Sequence, residues 1–326
     1  MKTRAFFKEL FKDTVSTAIV MFRIMIPVSI VVKALQMSGL IVYIGIALAP
    51  LMRFVGLPGE MGLVWGTGMI TNLFGGTLAY LNIAPSLHLT TAQTTIICLM
   101  MLVAHTFPIE LQVVRKAGVK FITMFIHRFG FAFLMGVILN LIYNGFGFLQ
   151  QPTVVAWKKD IITDTSLQAW ALGELKNYGM IFLIIFSLIF LIKLMKVTGL
   201  IDIITKGLSP LLRMMGIGAE VTTIAIIGIT LGVVYGGALI INESKSTEIS
   251  KRDIFYCLAL MGLCHSLIED TILMIAIGGH YSGILIARLI FSFLIIWALV
   301  KFTKKLPDKT FAKYFLARKT KAGQNA

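Results

Sequence analysis

The feature that most limits this chain is a repeat: the second half restates the first at a constant offset of 160 residues. Lys33 falls on Lys193, and Gly39-Leu40-Ile41 on Gly199-Leu200-Ile201. Pro50-Leu51 falls on Pro210-Leu211, Arg53 on Arg213, Gly56 on Gly216, Glu60 on Glu220 and Gly68 on Gly228. Phe74-Gly75-Gly76 meets Tyr235-Gly236-Gly237 after one inserted residue. His105 falls on His265 and Glu110 on Asp270. Ile126, Arg128, Phe131, Phe133 and Leu134 fall on Ile286, Arg288, Phe291, Phe293 and Leu294. Leu and Ile coincide by chance in any apolar chain, whereas Gly, Pro, Arg, Glu and His do not fall into one register by chance.

What repeats is apolar. Hydrophobic residues make up 57% of the chain and charged residues 14%, against about 25% charge in a soluble domain. Apolar runs of roughly 20 residues, each long enough to span a bilayer, recur throughout. The fold expected is an all-α polytopic membrane protein with no sizeable soluble domain. The net charge of +15 sits mainly at the ends and in short loops, where it sets orientation and meets lipid. No soluble module remains to bind nucleic acid. Cys98, Cys257 and Cys264 lie in apolar segments without a CxxC pair, which gives neither a disulfide framework nor a cysteine zinc site. No cofactor is expected.

Residues 1–13 interleave Lys2, Arg4, Lys8 and Lys12 with Phe6, Phe7, Leu10 and Phe11, the pattern of an amphipathic interfacial helix. The apolar run behind them is too long for a cleaved signal peptide and is interrupted by Arg23. A first repeat over 14–146 holds spans near 15–35, 40–55, 60–82, 94–107 and 121–143. A polar connector, 147–178, carries Trp157 and Trp170 along an interface. A second repeat follows at 179–303, then a basic cytoplasmic tail at 304–326. Five spans is an odd number, so the second copy enters the membrane from the opposite side. The result is about ten transmembrane segments in two inverted five-span repeats with broken helices. Arg115, Lys116, Lys120, Lys193, Lys196, Lys245, Lys251, Arg252 and the basic tail then face the cytoplasm. Arg213 is the exception. Half-spanning hairpins would change the count but not the symmetry.

The chemistry concentrates at the breaks. Cys264-His265-Ser266-Leu267-Ile268-Glu269-Asp270-Thr271 sets an imidazole and two carboxylates in an apolar stretch. On a helix His265 and Glu269 share a face, and Asp270 points about 100° away from Glu269. Ionisable groups at membrane depth are costly and face a bundle interior or a cavity. The third span carries Gly62, Gly66, Gly68, Gly75 and Gly76 around Thr71 and Asn72. Such a run is either a broken transporter helix or close packing through small residues. The candidate binding residues are Asn72, Gly75, Gly76, His105 and Glu110 from the first copy. The second copy offers Gly236, Gly237, Asn242, Glu243, His265, Ser266, Glu269 and Asp270. Glycines admit a ligand to the backbone, helix N-termini favour an anionic group, and the carboxylates favour a cation or a proton.

Plainer roles stand beside these. The histidines serve equally as interhelical bridges. Glu60 and Glu220 suit helix N-termini, Arg53 and Arg213 snorkel to headgroups, and Lys33 and Lys193 are interfacial. Arg128 and Arg288 lie deeper and fit an ion pair with a carboxylate that the sequence does not name. The 17 methionines read as packing.

The glycine-broken third span, the paired Gly-Gly breaks and the string from His265 to Thr271 resemble the nucleoside recognition, or Gate domain, family. That family includes the membrane gate of FeoB-type ferrous-iron transporters, domains of concentrative nucleoside transporters, and spore maturation membrane proteins. The likeness covers most of residues 15–302 as two Gate-like copies. It implies a multi-pass protein of a bacterial cytoplasmic (inner) membrane with both termini inside. The GTPase domain of the iron transporters has no counterpart here, so a nucleotide-driven gate is not implied, and the family name does not make nucleosides the ligand.

The expected function is a secondary transporter or permease for a small solute or ion. Histidine titration offers coupling to protons, and sodium is the other driving ion. The alternative is a membrane scaffold in envelope or spore maturation. An intramembrane enzyme built on His265 and Glu269 lacks a recognised nucleophile or ligand spacing, and no enzymatic activity is expected. Lipids, the transported solute or ion, and a second copy of the chain are the expected partners. The basic tail suits anionic headgroups.

Overall fold

In an apolar solvent every backbone N–H and C=O must be satisfied within its own segment, which selects helices. The computed structural model describes residues 2–155, 167–232, 239–241 and 249–317. Among these residues it is helical, without a strand beyond the isolated bridges Thr90 to Pro152 and Val119 to Leu316. The first half contains α1 (Lys2–Met37), α2 (Leu40–Phe54), α3 (Glu60–Ile70), α4 (Leu73–Ile83), α5 (Thr91–Val103), α6 (Phe107–Lys116) and α7 (Phe121–Gly145). The second contains α8 (Leu167–Val197), α9 (Leu200–Met214), α10 (Ala219–Leu231), α11 (Lys251–Leu263) and α12 (Glu269–Ala276). A π-helical stretch, Ser282–Ala287, then runs into α13 (Arg288–Thr303), and α14 (Asp308–Phe315) follows.

The sequence register is also a backbone register. α2 and α9 begin and end at equivalent residues, as do α5 and α11. Left-handed residues recur in pairs: Gly39 with Gly199, Gly56 with Gly216, Thr106 with Ser266, and Gly118 with Gly278. The leading helices of the halves, α1 and α8, pack in opposite directions. Phe6 meets Phe190 and Phe22 meets Tyr178. Lys193 Nζ lies 2.8 Å from Asp13, and Ser29 Oγ donates to Glu174 at 3.0 Å.

Among the described residues, four helices are long and apolar enough to cross a membrane: Thr91–Lys116 read through its break, Phe121–Gly145, Leu167–Met195 and Ser282–Thr303. The pair Met25–Met37 and Val42–Phe54, bent by 102°, makes a fifth. The described helices thus give four or five candidate spans and do not by themselves establish the expected ten in two inverted repeats. The 11-residue α3 and α4 and the 13-residue α10 and α11 fall short of the roughly 20 residues a crossing needs.

Other boundaries differ as well. Residues 1–13 are not a separate helix but the start of the 36-residue α1, because nothing near residue 13 breaks the helix. The expected connector, 147–178, gives way to α8 at Leu167; its Glu174 and Asn177 are polar yet buried, facing the interior rather than an interface. Residues 156–166, with Trp157, lie outside the described residues. In the expected tail, the apolar Phe311 and Phe315 pack on Phe255 as part of α14, while 318–326 lie outside the described residues. Arg252 fixes α14 by donating to Thr303 O at 2.6 Å and Leu306 O at 2.7 Å, and it pairs with Asp308 at 2.8 Å. Past α14 the chain bonds to the turn between α6 and α7, with Lys120 N on Phe315 O at 2.8 Å and Ala317 N on Gly118 O at 2.9 Å.

At the centre stand α5 and α11, apolar all round and buried on all sides from Ile96 to Val103 and from Ile254 to Leu263. A helix hydrophobic all round belongs inside a bundle. Both stop abruptly in the interior, and the site is built on those two ends.

Candidate functional site

α5 ends at Val103, and α6 restarts at Phe107 with Pro108 in its first turn, where the missing N–H is no loss. Between them Ala104 leaves the helical region, φ −129° and ψ 84°, and Thr106 is left-handed, φ 52°. α11 ends the same way without a proline: Cys264 leaves the helical region, φ −143° and ψ 73°, and Ser266 is left-handed, φ 46°. A β-branched threonine with positive φ is an outlier, and such residues persist where the surroundings over-determine them. Here the surroundings supply Gly68 O for Thr106 N at 3.0 Å and Gly228 O for Ser266 N at 3.4 Å, again one repeat apart.

The two breaks face each other. His105 Nδ1 lies 2.8 Å from Met101 O, and His265 Nδ1 lies 2.7 Å from Met261 O. The remaining ring nitrogens, Nε2 of each, approach to 3.1 Å. Glu110 Oε1 stands 3.6 Å from His105 Nε2 and 3.3 Å from His265 Nε2. Its other oxygen pairs with Arg128 Nη1. Arg128 Nε donates to Val103 O at 2.9 Å, and Arg288 Nε donates to Leu263 O at 3.0 Å. Each arginine thus caps the C-terminal carbonyls that its half's central helix leaves open, where cations are favoured. Arg288 also reaches across, its Nη2 donating to His265 O at 2.9 Å and Leu102 O at 3.2 Å. All five side chains are buried.

The expected residues divide. His105, His265, Glu110 and Asp270 come together, and His105, His265 and Asp270 bring ligand atoms within 4.8 Å of one another. The expected face shared by His265 and Glu269 does not form: His265 lies in the break before α12, while Glu269 opens that helix. Ser266 sits against Gly232, where a Cβ would meet its Oγ at 2.6 Å. Asn72 is an N-cap whose Oδ1 accepts from Gly75 N at 2.8 Å. Gly75 and Gly76 serve packing, since a Cβ on Gly76 would sit 3.0 Å from Gly68 Cα and 3.1 Å from Met101 Sδ. Gly236, Gly237, Asn242 and Glu243 lie outside the described residues. Arg128 and Arg288 were absent from the expected set. Their register with each other and with the histidines was the signal that could have found them.

Two cavities among the described residues lie away from this centre. One, of about 460 Å³, lies between the end of α7 and the π-helical stretch, beside Tyr143 and His280. The other, of about 560 Å³, lies among α1, α2 and α3 and is nearly all apolar. Chemistry outranks volume here, because neither cavity gathers more than one titratable group capable of changing charge near neutrality.

Among known proteins, the chain is similar to an uncharacterized membrane protein, YvoD, of Bacillus subtilis (strain 168), with 24% identity over 297 residues, 89% of this chain and 93% of that one. This is a multi-pass helical membrane protein. No family model matches the chain, and no solved structure does. The Gate-domain likeness rests on the motif residues alone.

Proposed function

We propose that this protein is a secondary transporter of a bacterial cytoplasmic membrane, moving a small solute or ion through the histidine centre between two inverted repeats. A proton or sodium gradient drives it. The observation that carries the reading is the meeting of His105 and His265 at 3.1 Å, each on the broken end of its half's central helix. Helix breaks at membrane depth occur where backbone is buried in protein or lines a ligand path, and paired breaks from opposed repeats form the midplane sites of transporters. The opposite directions of α1 and α8 support the inversion. Buried Glu110, Arg128, Asp270 and Arg288 add to the cost of the centre, since intramembrane charge costs several kcal/mol and is kept where ions or substrates pass.

The test is flux in proteoliposomes across a panel of nucleosides, divalent cations and lipid-linked phosphates, with thermal stabilisation of the purified protein alongside. Gradient-driven flux of one class, lost in a folded His105→Ala/His265→Ala variant, is the expected result. No flux and no thermal shift across the panel, with a biologically silent Asp270→Asn, would replace transport with a scaffold role in envelope or spore maturation.

A further inference from the structure

The histidine centre has a bonding problem that its own atoms do not solve. The carbonyls of Met101 and Met261 can only accept, so both Nδ1 atoms carry the ring proton. In neutral imidazoles both Nε2 atoms are then bare lone pairs, and they point at each other across 3.1 Å. The third atom at the spot, Glu110 Oε1, is a carboxylate oxygen whose partner oxygen is already on Arg128. Three acceptors converge with no donor among them, and buried acceptors need a positive partner. A fourth waits beside them: Asp270 brings a carboxylate oxygen within 4.8 Å of a ring nitrogen of each histidine, is only 9% exposed, and its Oδ2 has no hydrogen-bond partner among the described residues.

We infer that His105, His265 and Glu110 form a binding site for a divalent first-row metal cation of the zinc type, with Asp270 poised as the fourth ligand. The edges of the acceptor triangle are 3.1, 3.3 and 3.6 Å. Ligands about 2.0–2.2 Å from a tetrahedral zinc ion stand about 3.3 Å apart, so the triangle is one face of such a site. Two imidazoles and carboxylate oxygen suit zinc, cobalt or iron(II) rather than the all-oxygen shells of calcium and magnesium. The supporting contacts are those of metal centres: each imidazole is oriented by its Nδ1–H on a backbone carbonyl, and the carboxylate is oriented by an arginine. Cys264, buried beside His265 in sequence, stands outside the group, which argues against a thiolate site for copper(I). The inference deepens the transport reading, on which it rests for treating the cation as cargo. Binding itself does not depend on that reading.

The experiment is titration of the full-length purified protein with Zn²⁺ alone, and separately with Co²⁺ followed by visible absorption. The wild type is expected to take one equivalent and to give the strong d–d bands of tetrahedral cobalt without thiolate charge transfer. His105→Gln and His265→Gln should each abolish that equivalent. Arg128→Lys should weaken it about 10- to 100-fold, as loss of an orienting partner does. The exposed His88→Ala should leave it unchanged, and a metal lost with His88 would overturn the inference as surface binding. Monodispersity and thermal melting show which variants fold; should both glutamine variants fail, Glu110→Asp replaces them, and an unchanged cobalt spectrum there would overturn the assignment. A wild type that takes up no Zn²⁺ or Co²⁺, the pair holding only a proton, would also overturn it. Flux of another solute by that same protein would leave transport standing, whereas stoichiometric binding without flux of any cation would keep the site and remove the transport reading.

Discussion

The two halves bring the same three residue positions to the centre but use them differently. In the first half Arg128 closes on Glu110, which in turn reaches both imidazoles. In the second half the equivalent arginine spends its bonds on backbone carbonyls, three of them, and among the described residues Asp270 Oδ2 has no partner; each arginine leaves one terminal nitrogen unpartnered there, Nη2 of Arg128 and Nη1 of Arg288. Part of the difference is covalent, since aspartate is one methylene shorter than glutamate. The lesson is that a shared register fixes where the groups stand and leaves open which ion pair is made. One carboxylate is engaged and its counterpart is held in reserve.

The strongest way to break that comparison is to remove each carboxylate's charge in turn. Glu110→Gln strands a buried Arg128 and should cost about 3–5 kcal/mol of stability. Asp270→Asn, with no made pair to lose, should cost under half of that by thermal or denaturant unfolding in the same detergent. Equal losses would show both pairs to be formed. A smaller effect separates the helix contacts. A Cβ at Gly228 would lie 2.5 to 2.8 Å from the Met261 side chain, whereas one at Gly68 finds nothing nearer than 3.7 Å. Gly228→Ala should therefore cost about 1–3 kcal/mol as an overpacking change, and Gly68→Ala close to nothing; a reversed order would contradict the packing described. Next come the left-handed residues. Thr106→Gly should gain up to about 1 kcal/mol by relieving its backbone, and Ser266→Gly less, because threonine is the β-branched one. Two losses instead of gains would mean that the side chains hold the breaks. Smallest is the lateral ion pair between α1 and α8: Asp13→Asn should change stability by at most about 1 kcal/mol, given a partly exposed Asp13.

Much of this architecture was legible because it is periodic. The offset of 160 residues predicted matched ends for α2 with α9 and α5 with α11, and it set His105 against His265. What the sequence did not carry was the local geometry of each break. A helical reading of the string from His265 to Asp270 put Glu269 beside the imidazole, whereas the left-handed Ser266 turns the chain and brings Asp270 in instead. The Arg128 to Glu110 pair joins α7 to the first turn of α6 across 18 residues, a contact between two helices that the repeat register does not encode. Asn72, Gly75 and Gly76 show the limit of residue type: a polar amide beside two glycines serves a helix cap and a close crossing as well as it would serve a ligand.

The strap formed by α14 has a mechanical consequence. It leaves the last long helix of the second half and is stitched by main-chain bonds to the turn where α7 begins. A motion that spares these stitches cannot slide the halves apart along that edge; it must swing about it. α7 then behaves as a lever 25 residues long, with its fulcrum at Phe121 and the Tyr143 to Ser282 contact at its far tip. Arg128 lies two turns from the fulcrum, where displacement is small, and the cavity beside Tyr143 lies where displacement is greatest. Small rearrangements around the histidines would be read out as large openings at that distant end.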